Sequence, residues 1–531
     1  MMHGRGKSDG RVLPTKSANA AALQRRPRSQ GEPYTGTQGE TPEPAKGEPT
    51  AERSRGGDGA ESVEGRRPAK GNTDRQNASR TQSRTDAPSA LDRVRRVAAR
   101  QKDAKFTALL HHVTIDRLRA AFLSIKRKAA AGVDGVTWQH YATDLESNLQ
   151  DLHARVHRGA YRAKPSRRVY IPKADGRPRP LGIAALEDKI IQRAVVEVLN
   201  AIYEVDFLGF SYGFRPGRNQ HQALDALAVG ILRKKVNWVL DADVRGYFDT
   251  IDHGWLMKFI EHRIADRRVL RLIRKWLKAG VMEEGEWQAN EVGSPQGATV
   301  SPLLANVYLH YVFDLWIQQW RKRYARGDVI VVRYADDVVA GFQYQSDATR
   351  FRMELDVRLG KFALELNPEK TRLLEFGRYA AERRAEKGMG KPETFDFLGV
   401  THICGKTRAG DYLLVRHTLR KRMAAKLRWV RDEIMRRRHL SIKKQGLWLQ
   451  RVVGGYFNYH AMPTNIRALQ QFRKEVTRHW LRALRQRSQK DRTSWLRMTL
   501  LVDRWLPVAR IQHPWPTDRF DARTRGGSPV R

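Results

Sequence analysis

Two adjacent carboxylates interrupt an apolar stretch of this 531-residue chain: Tyr334-Ala335-Asp336-Asp337 follows Val329 to Val332 and precedes Val338 to Ala340. In such a setting both aspartates lose water and repel each other, a cost that calls for compensating charge. A turn between two strands would present them at its tip, where divalent cations could reach them. A polar hairpin turn that happens to hold two aspartates is the plainer alternative. A second set lies upstream, in Val239-Leu240-Asp241-Ala242-Asp243-Val244 and on to Tyr247-Phe248-Asp249. Side chains alternate along a strand, so Leu240 and Ala242 share one face while Asp241 and Asp243 share the other. A carboxylate leaving the end of that strand could meet the Asp336-Asp337 turn across a sheet. Three converging carboxylates suit two Mg²⁺ ions, which prefer oxygen ligands and keep positions open for substrate phosphates. Metals about 3.5–4 Å apart can stabilise both an attacking 3′-oxygen and a leaving pyrophosphate.

Positioning these groups requires strands, and the pattern supplies them. Residues 237–244 and 329–342 are short and rich in β-branched residues, as strands are. Residues 187–205 place Ile190, Ile191, Ala194, Val195, Val198, Leu199 and Ile202 on one helical face. The combination predicts an α+β layer, with helices covering one face of an antiparallel sheet. From about residue 415 the periodicity predicts helices throughout, over 417–438, 441–461 and 464–486, with arginine and lysine on their polar faces. One more helix is expected around Trp495 to Leu506, before an irregular stretch at His513 to Pro516. Residues 1–90 carry almost no branched apolar or aromatic residues and are expected to be a disordered basic arm. A solvated tail and an RNA-gripping arm are both open to it.

The charge balance narrows the partners. Lys and Arg number 99 against 57 Asp and Glu, a formal net charge of +42. A protein this basic calls for a polyanion, nucleic acid first. No long apolar run points to a membrane. The single cysteine, Cys404, forbids an internal disulfide or a cysteine-based zinc cluster and fits a reducing cytosol. No secretory signal is recognisable at the N-terminus.

The order of motifs resembles that of group II intron-encoded reverse transcriptases over roughly residues 95–531. Ala131-Gly132-Val133-Asp134-Gly135-Val136 is similar to their N-terminal extension. Arg168 to Lys173, with Gly176 to Ile183, is similar to their first fingers block, and Tyr212-Gly213-Phe214-Arg215-Pro216-Gly217-Arg218 to the next. Gly293-Ser294-Pro295-Gln296-Gly297 leads into Ser301-Pro302-Leu303-Leu304-Ala305-Asn306. Asn367-Pro368-Glu369-Lys370-Thr371 and Phe395-Asp396-Phe397-Leu398-Gly399 complete the palm order.

The resemblance implies a right-hand polymerase fold: an arm over 1–90, fingers and palm over 91–405, a helical thumb/maturase domain over 406–490 and a short basic segment over 491–531. It implies an RNA-directed DNA polymerase that uses two Mg²⁺ ions, with intron RNA as template, a DNA primer or target, and deoxynucleotides. It also implies binding of the host intron RNA to assist splicing and mobility; a dimer is open to it, and nothing in it calls for a membrane. A retron or defence reverse transcriptase, or a splicing factor without catalysis, are the alternatives. Asp243, Asp336 and Asp337 would be catalytic metal ligands, joined by the backbone carbonyl of Val244; Asp241 and Asp249 are the close alternatives, read second as solvated or structural carboxylates. Phe248, five residues after Asp243, would close the pocket to a 2′-hydroxyl. Lys173 and Arg179 would clamp the triphosphate, with Arg177 an equally basic neighbour. Gln296 would line the nucleotide pocket, and Lys370 would protonate the leaving pyrophosphate. Many relatives add a nuclease with paired cysteines; that activity is not expected here.

Overall fold

The computed structural model describes residues 90–172, 178–294, 297–488 and 492–524. The expected N-terminal arm lies outside the described residues, as do Lys173, Arg177 and Gln296. Strands occur in the order β1 (Ser166–Pro172), β2 (Pro178–Ile183), β3 (Trp238–Ala242), β4 (Val281–Glu283), β5 (Glu286–Gln288), β6 (Val329–Tyr334), β7 (Asp337–Phe342), β8 (Arg372–Glu375), β9 (Phe395–Phe397), β10 (Val400–Lys406) and β11 (Tyr412–Thr418). They form three sheets, ordered β2-β1-β4-β5, β6-β7-β3-β8 and β11-β10-β9.

The β6-β7-β3-β8 sheet is antiparallel throughout, and it is covered on both faces rather than on the one face expected. Leu240, Ala242, Val331, Ala340 and Phe342 face a core shared with the helices Leu186–Asp206, Ser301–Leu309 and Gln345–Gly360. Val239, Ile330, Val332, Val339 and Leu374 face the helix Gln220–Arg233 and the β11-β10-β9 sheet. Each fully buried Val or Ile contributes about 1.5–3 kcal/mol, so a strand covered on both faces has room for charge chiefly at its ends. The aspartates sit at such ends.

The boundary of the helical region also differs. Tyr412–Thr418 falls beyond the expected start at 406, yet it pairs with β10 from Val400↔Thr418 to Lys406↔Tyr412. Leu414, Arg416 and Thr418 are its buried positions, a period of two. Arg416 escapes an apolar pattern search because it is a buried cation answered by Asp225 at 3.3 Å. Helices then follow at Arg420–Arg436, Ile442–His460, Ile466–Arg485 and Trp495–Trp505. They enclose a core of their own around Val430, Leu449, Phe457, Phe472 and Trp480. A further helix, Pro516–Thr524, begins where irregular chain was expected. Proline is well suited to a first helical position, where its missing N–H costs nothing. Among the described residues no helix is long and apolar enough to cross a membrane.

Candidate active site

The register of β3 against β7 brings the two carboxylate sets together. Asp241 pairs with Val339 and Ala242 with Val338, the last pair of the ladder, so Asp243 leaves β3 beside Asp337 at the start of β7. Residues directly opposite on an antiparallel pair point to the same face, and like charges there destabilise the sheet. The separation of 94 residues in sequence hides this proximity; the ladder creates it.

Asp336 and Asp337 lie where the sequence expected a turn. Tyr334 pairs with Asp337, which leaves Ala335 and Asp336 as a two-residue hairpin loop. Ala335 has φ of +57°, a left-handed conformation that costs a residue with a Cβ about 1 kcal/mol. Its surroundings hold it there. Arg333 donates to the Ala335 carbonyl at 2.9 Å and to Asn306 Oδ1 at 3.1 Å. The same guanidinium donates to both oxygens of Asp314, at 2.7 and 2.6 Å. Neither side chain of that pair is exposed to water. Burial alone would raise the Asp314 carboxyl, but the adjacent Arg333 and His310 outweigh it and hold it below its ordinary value. Asp314 ends a π-helical turn, His310–Asp314, between two α-helices. Gly213 supports the turn from behind: a Cβ there would stand 2.3 Å from Ala335 N. Asn306 Nδ2 donates to the Gly213 carbonyl at 2.7 Å, closing the network. Gly213 and Asn306 lie in motifs visible in the sequence, but nothing in their spacing revealed this support.

The site is electrostatically strained. Burial, then Asp243, raises the Asp336 carboxyl, while Arg179 and Lys370 pull it down. Burial, then Asp336, Asp243 and Asp241, pushes Asp337 up to about 7, against the attraction of Arg422. The Asp337 side chain nevertheless touches water, and Asp336 is half-buried. Protein crowds these groups without closing over them, so solvent screens part of the repulsion and the upward direction is what counts. Asp241 is pushed up to about 6, chiefly by burial, and Arg372 lies 3.7 Å away.

Asp243 is held differently. Lys370 Nζ is 2.9 Å from its Oδ2, to which Asn367 Nδ2 also donates at 3.1 Å. Asn367 N donates to the Asp243 carbonyl and Arg245 N to the Glu365 carbonyl. These bonds flank the bridge of Val244 to Leu366, so the Val244 carbonyl is not spent on it. Among the described residues no group of three or more His, Cys, Asp or Glu side chains is arranged so that it could hold a metal ion. The expected triad is therefore gathered but held apart, with a lysine on one of its oxygens. Its chemistry fits a divalent cation: hard oxygen donors, like charges, and carboxyls raised in the absence of a counterion.

Of the remaining expected residues, Phe248, Arg179 and Asp249 are described. Phe248, half-buried, lies in the short helix Tyr247–Thr250 and packs edge-on against Tyr247, whose hydroxyl donates to the Ala305 carbonyl at 2.5 Å. Ser294 N donates to the Phe248 carbonyl at 2.7 Å, tying the aromatic to the segment before Gln296. A Cβ on Gly297 would stand 2.5 Å from Gly182 O, so this loop lies against β2. Arg179, exposed on β2, acts on Asp336. Asp249 is exposed.

Residues 171–402 match the family model described as Reverse transcriptase (RNA-dependent DNA polymerase). The chain is 38% identical over 282 residues to Protein YkfC of Escherichia coli, an alignment spanning 47% of this chain and 74% of that protein. It is 34% identical over 238 residues to the group II intron-encoded protein LtrA of Lactococcus lactis. The chain belongs to the group II intron-encoded reverse transcriptase/maturase family. As a member of that family it aligns with 44% of its own length and 39% of LtrA. A protein of the cob intron of Schizosaccharomyces pombe is 41% identical over 160 residues, covering 30% of this chain and 20% of that protein. The family match contains β3, the β6–β7 turn and Lys370, so the carboxylate floor lies wholly within it.

Proposed function

We propose that the chain is an RNA-directed DNA polymerase that extends a DNA primer on an RNA template, and that it binds its host intron RNA to assist splicing and mobility. The observation that carries the reading is the end of the β3–β7 ladder at Ala242↔Val338, which brings Asp243 beside the start of β7 at Asp337, next to a turn whose conformation is held from behind. In this reading the β2-β1-β4-β5 sheet and its helices serve as fingers, the β6-β7-β3-β8 sheet as palm, and the helices from Arg420 as thumb.

Asp243, Asp336, Asp337 and the Val244 carbonyl would hold two Mg²⁺ ions, which lower the cost of charge developing on the 3′-oxygen and the departing pyrophosphate. Arg179 would bind the triphosphate, together with Lys173. Its planar guanidinium suits bidentate contact with phosphate oxygens. Lys370 would give up Asp243 Oδ2 as the ligand set forms and then stand as proton donor to the leaving group. Phe248 would lie under the sugar and exclude a 2′-hydroxyl, and Gln296 would line the same pocket. Catalysis of this kind is mostly positioning and electrostatics.

Intron RNA would lie along the basic helices. Arg420, Lys421, Arg422, Arg428 and Arg431 are exposed along Arg420–Arg436. Phosphates neutralised there release counterions, which makes affinity fall steeply with salt. Mg²⁺-dependent extension of a DNA primer on an RNA template, comparing wild type with Asp336→Ala, tests the polymerase. Deoxynucleotide incorporation lost in the variant is expected. A folded wild type that incorporates nothing with any divalent metal would leave RNA binding as the function.

A further inference from the structure

The helix Leu186–Asp206 turns Ile190, Ile191, Ala194 and Val195 into the main core, and Gln192, on the same helix, is buried as well, at 3% exposure. A buried amide has to be hydrogen-bonded, because leaving water without a partner is costly. Its Oε1 accepts from Thr299 N at 2.9 Å and from Val300 N at 3.4 Å, 107 and 108 residues further along the chain. These two amides stand just before the helix Ser301–Leu309, which has no side-chain cap of its own. Val300 holds the capping position, and its side chain carries no acceptor. Leu303 N and Leu304 N both donate to the Val300 carbonyl, at 3.1 and 3.2 Å. Gln192 therefore supplies from a distant helix the acceptor that the local sequence lacks.

The same two amides follow Gly293-Ser294-Pro295-Gln296-Gly297, the segment that the polymerase reading assigns to the nucleotide pocket. The near end of that segment is tied to the residues after Asp243. Gly293 N donates to the Ile251 carbonyl at 2.8 Å and Ser294 N to the Phe248 carbonyl at 2.7 Å. His253 Nε2 donates to the Gly293 carbonyl at 2.6 Å. Further on, Gly297 takes a φ of +112° and lies so close to β2 that a Cβ would stand 2.5 Å from Gly182 O. A buried contact of 2.6 Å between Ser294 Oγ and Ser301 Oγ joins the two ends. Gln192 then fixes the far end, and by holding two successive amides it restrains the backbone against pivoting as well as sliding.

We propose that Gln192 is a positioning residue for the incoming deoxynucleotide, fixing the backbone that follows Gln296 so that the pocket beside Phe248 fits a deoxyribose. This rests on the polymerase reading. Gln192 acts through Thr299 and Val300. The bond from Ser294 N to the Phe248 carbonyl makes the aromatic and the segment move together. Loosening the far end therefore reaches sugar selection as well as nucleotide affinity. The carboxylate floor is held by separate bonds, those of Arg333 to the Ala335 carbonyl and of Lys370 to Asp243. Duplex affinity and the rate at saturating nucleotide are accordingly spared.

The test compares wild type, Gln192→Asn and Gln192→Glu in extension of a DNA primer on an RNA template, with deoxynucleotide and ribonucleotide titrated separately. Asn keeps the amide but withdraws it by one methylene from both N–H groups. Glu keeps the reach and the acceptor, beside a helix N-terminus that favours its charge. For Gln192→Asn we expect the deoxynucleotide KM to rise about five- to tenfold, as for one lost hydrogen bond, with kcat and duplex affinity little changed. Incorporation of ribonucleotide relative to deoxynucleotide should rise with it, whereas Gln192→Glu should keep the wild-type KM and ratio. Gln192→Met, of similar volume and without a comparable acceptor, carries the same expectation as Gln192→Asn and replaces it if that variant does not fold. An unchanged KM in the folded variant, or a kcat that falls while KM holds, would overturn the proposal. So would an equal rise in KM for Gln192→Glu, which would make Gln192 a packing residue only. A folded wild type that incorporates no deoxynucleotide overturns the polymerase reading itself, and this proposal with it.

Discussion

Lys370 and Asp243 are joined by a 2.9 Å contact between Nζ and Oδ2, so one oxygen of the motif's first aspartate already carries a cation. A metal that takes that oxygen must displace the amine, and the amine is then free to act on the substrate. On the proposed reading, Lys370→Gln removes both the competitor and the proton donor. We expect kcat to fall about a hundredfold, the lower end of general acid contributions. The Mg²⁺ concentration for half-maximal extension should fall at the same time. A Mg²⁺ titration of primer extension reads both, and a variant that needs more Mg²⁺ than wild type contradicts the competition.

The raised carboxyl of Asp337 makes stability depend on pH in a defined sense. Its folded value, about 7, lies above the ordinary 3.8, so between these values the native state holds more proton than the unfolded chain. Unfolding free energy therefore falls as pH rises from about 4 to 7 in metal-free protein. Asp337→Asn removes that charge. In EDTA its Tm advantage over wild type should grow across this interval, and Mg²⁺ should shrink it at pH 7. A difference in Tm that is flat with pH would show that solvent screens the repulsion away.

The strands, the turn and the three long basic helices were legible because their signals are local: β-branched runs, a polar break between them, and apolar residues at three- and four-residue intervals. β11 was missed because its inward positions include Arg416, a buried cation whose partner, Asp225, is 191 residues away. The two-sided burial of the central sheet was missed for a related reason. Asp241 reads as a solvent-facing residue, yet it sits beside Val239 on a covered face and is answered by Arg372. The proposed trio Asp243, Asp336 and Asp337 could be picked out from residue type, spacing and the family resemblance, but its support could not. Gly213, Asn306 and Asp314 matter only through contacts with Arg333 and Ala335 that no periodicity encodes.

Phe248 provides a test of substrate choice. Its ring is fixed by packing on Tyr247, so a smaller side chain leaves space rather than a rearranged pocket. Phe248→Val should raise incorporation of ribonucleotides relative to deoxynucleotides by about ten- to hundredfold, the range open to a purely steric pocket change. Competing the two nucleotides in a single primer-extension reaction measures the ratio. An unchanged ratio with intact deoxynucleotide kinetics would remove Phe248 from the pocket.

The Arg333–Asp314 pair separates stability from positioning. Neither side chain has exposed surface, so removing one partner strands a buried charge at a cost of about 3–5 kcal/mol, whereas replacing both by apolar residues can be nearly neutral. Asp314→Leu alone should therefore unfold at markedly lower denaturant, and Arg333→Met combined with Asp314→Leu should recover most of that loss. Activity should not recover. Arg333 also holds the Ala335 carbonyl at 2.9 Å, and without that bond the left-handed alanine between β6 and β7 loses its side-chain anchor from β6. We expect the double variant to fold with near wild-type stability and to extend primers more than tenfold slower, with primer and nucleotide binding little changed. Denaturant melts and single-turnover extension on the same preparations decide it. Full activity in the double variant would mean that the turn keeps its conformation through Gly213 and Asn306 alone.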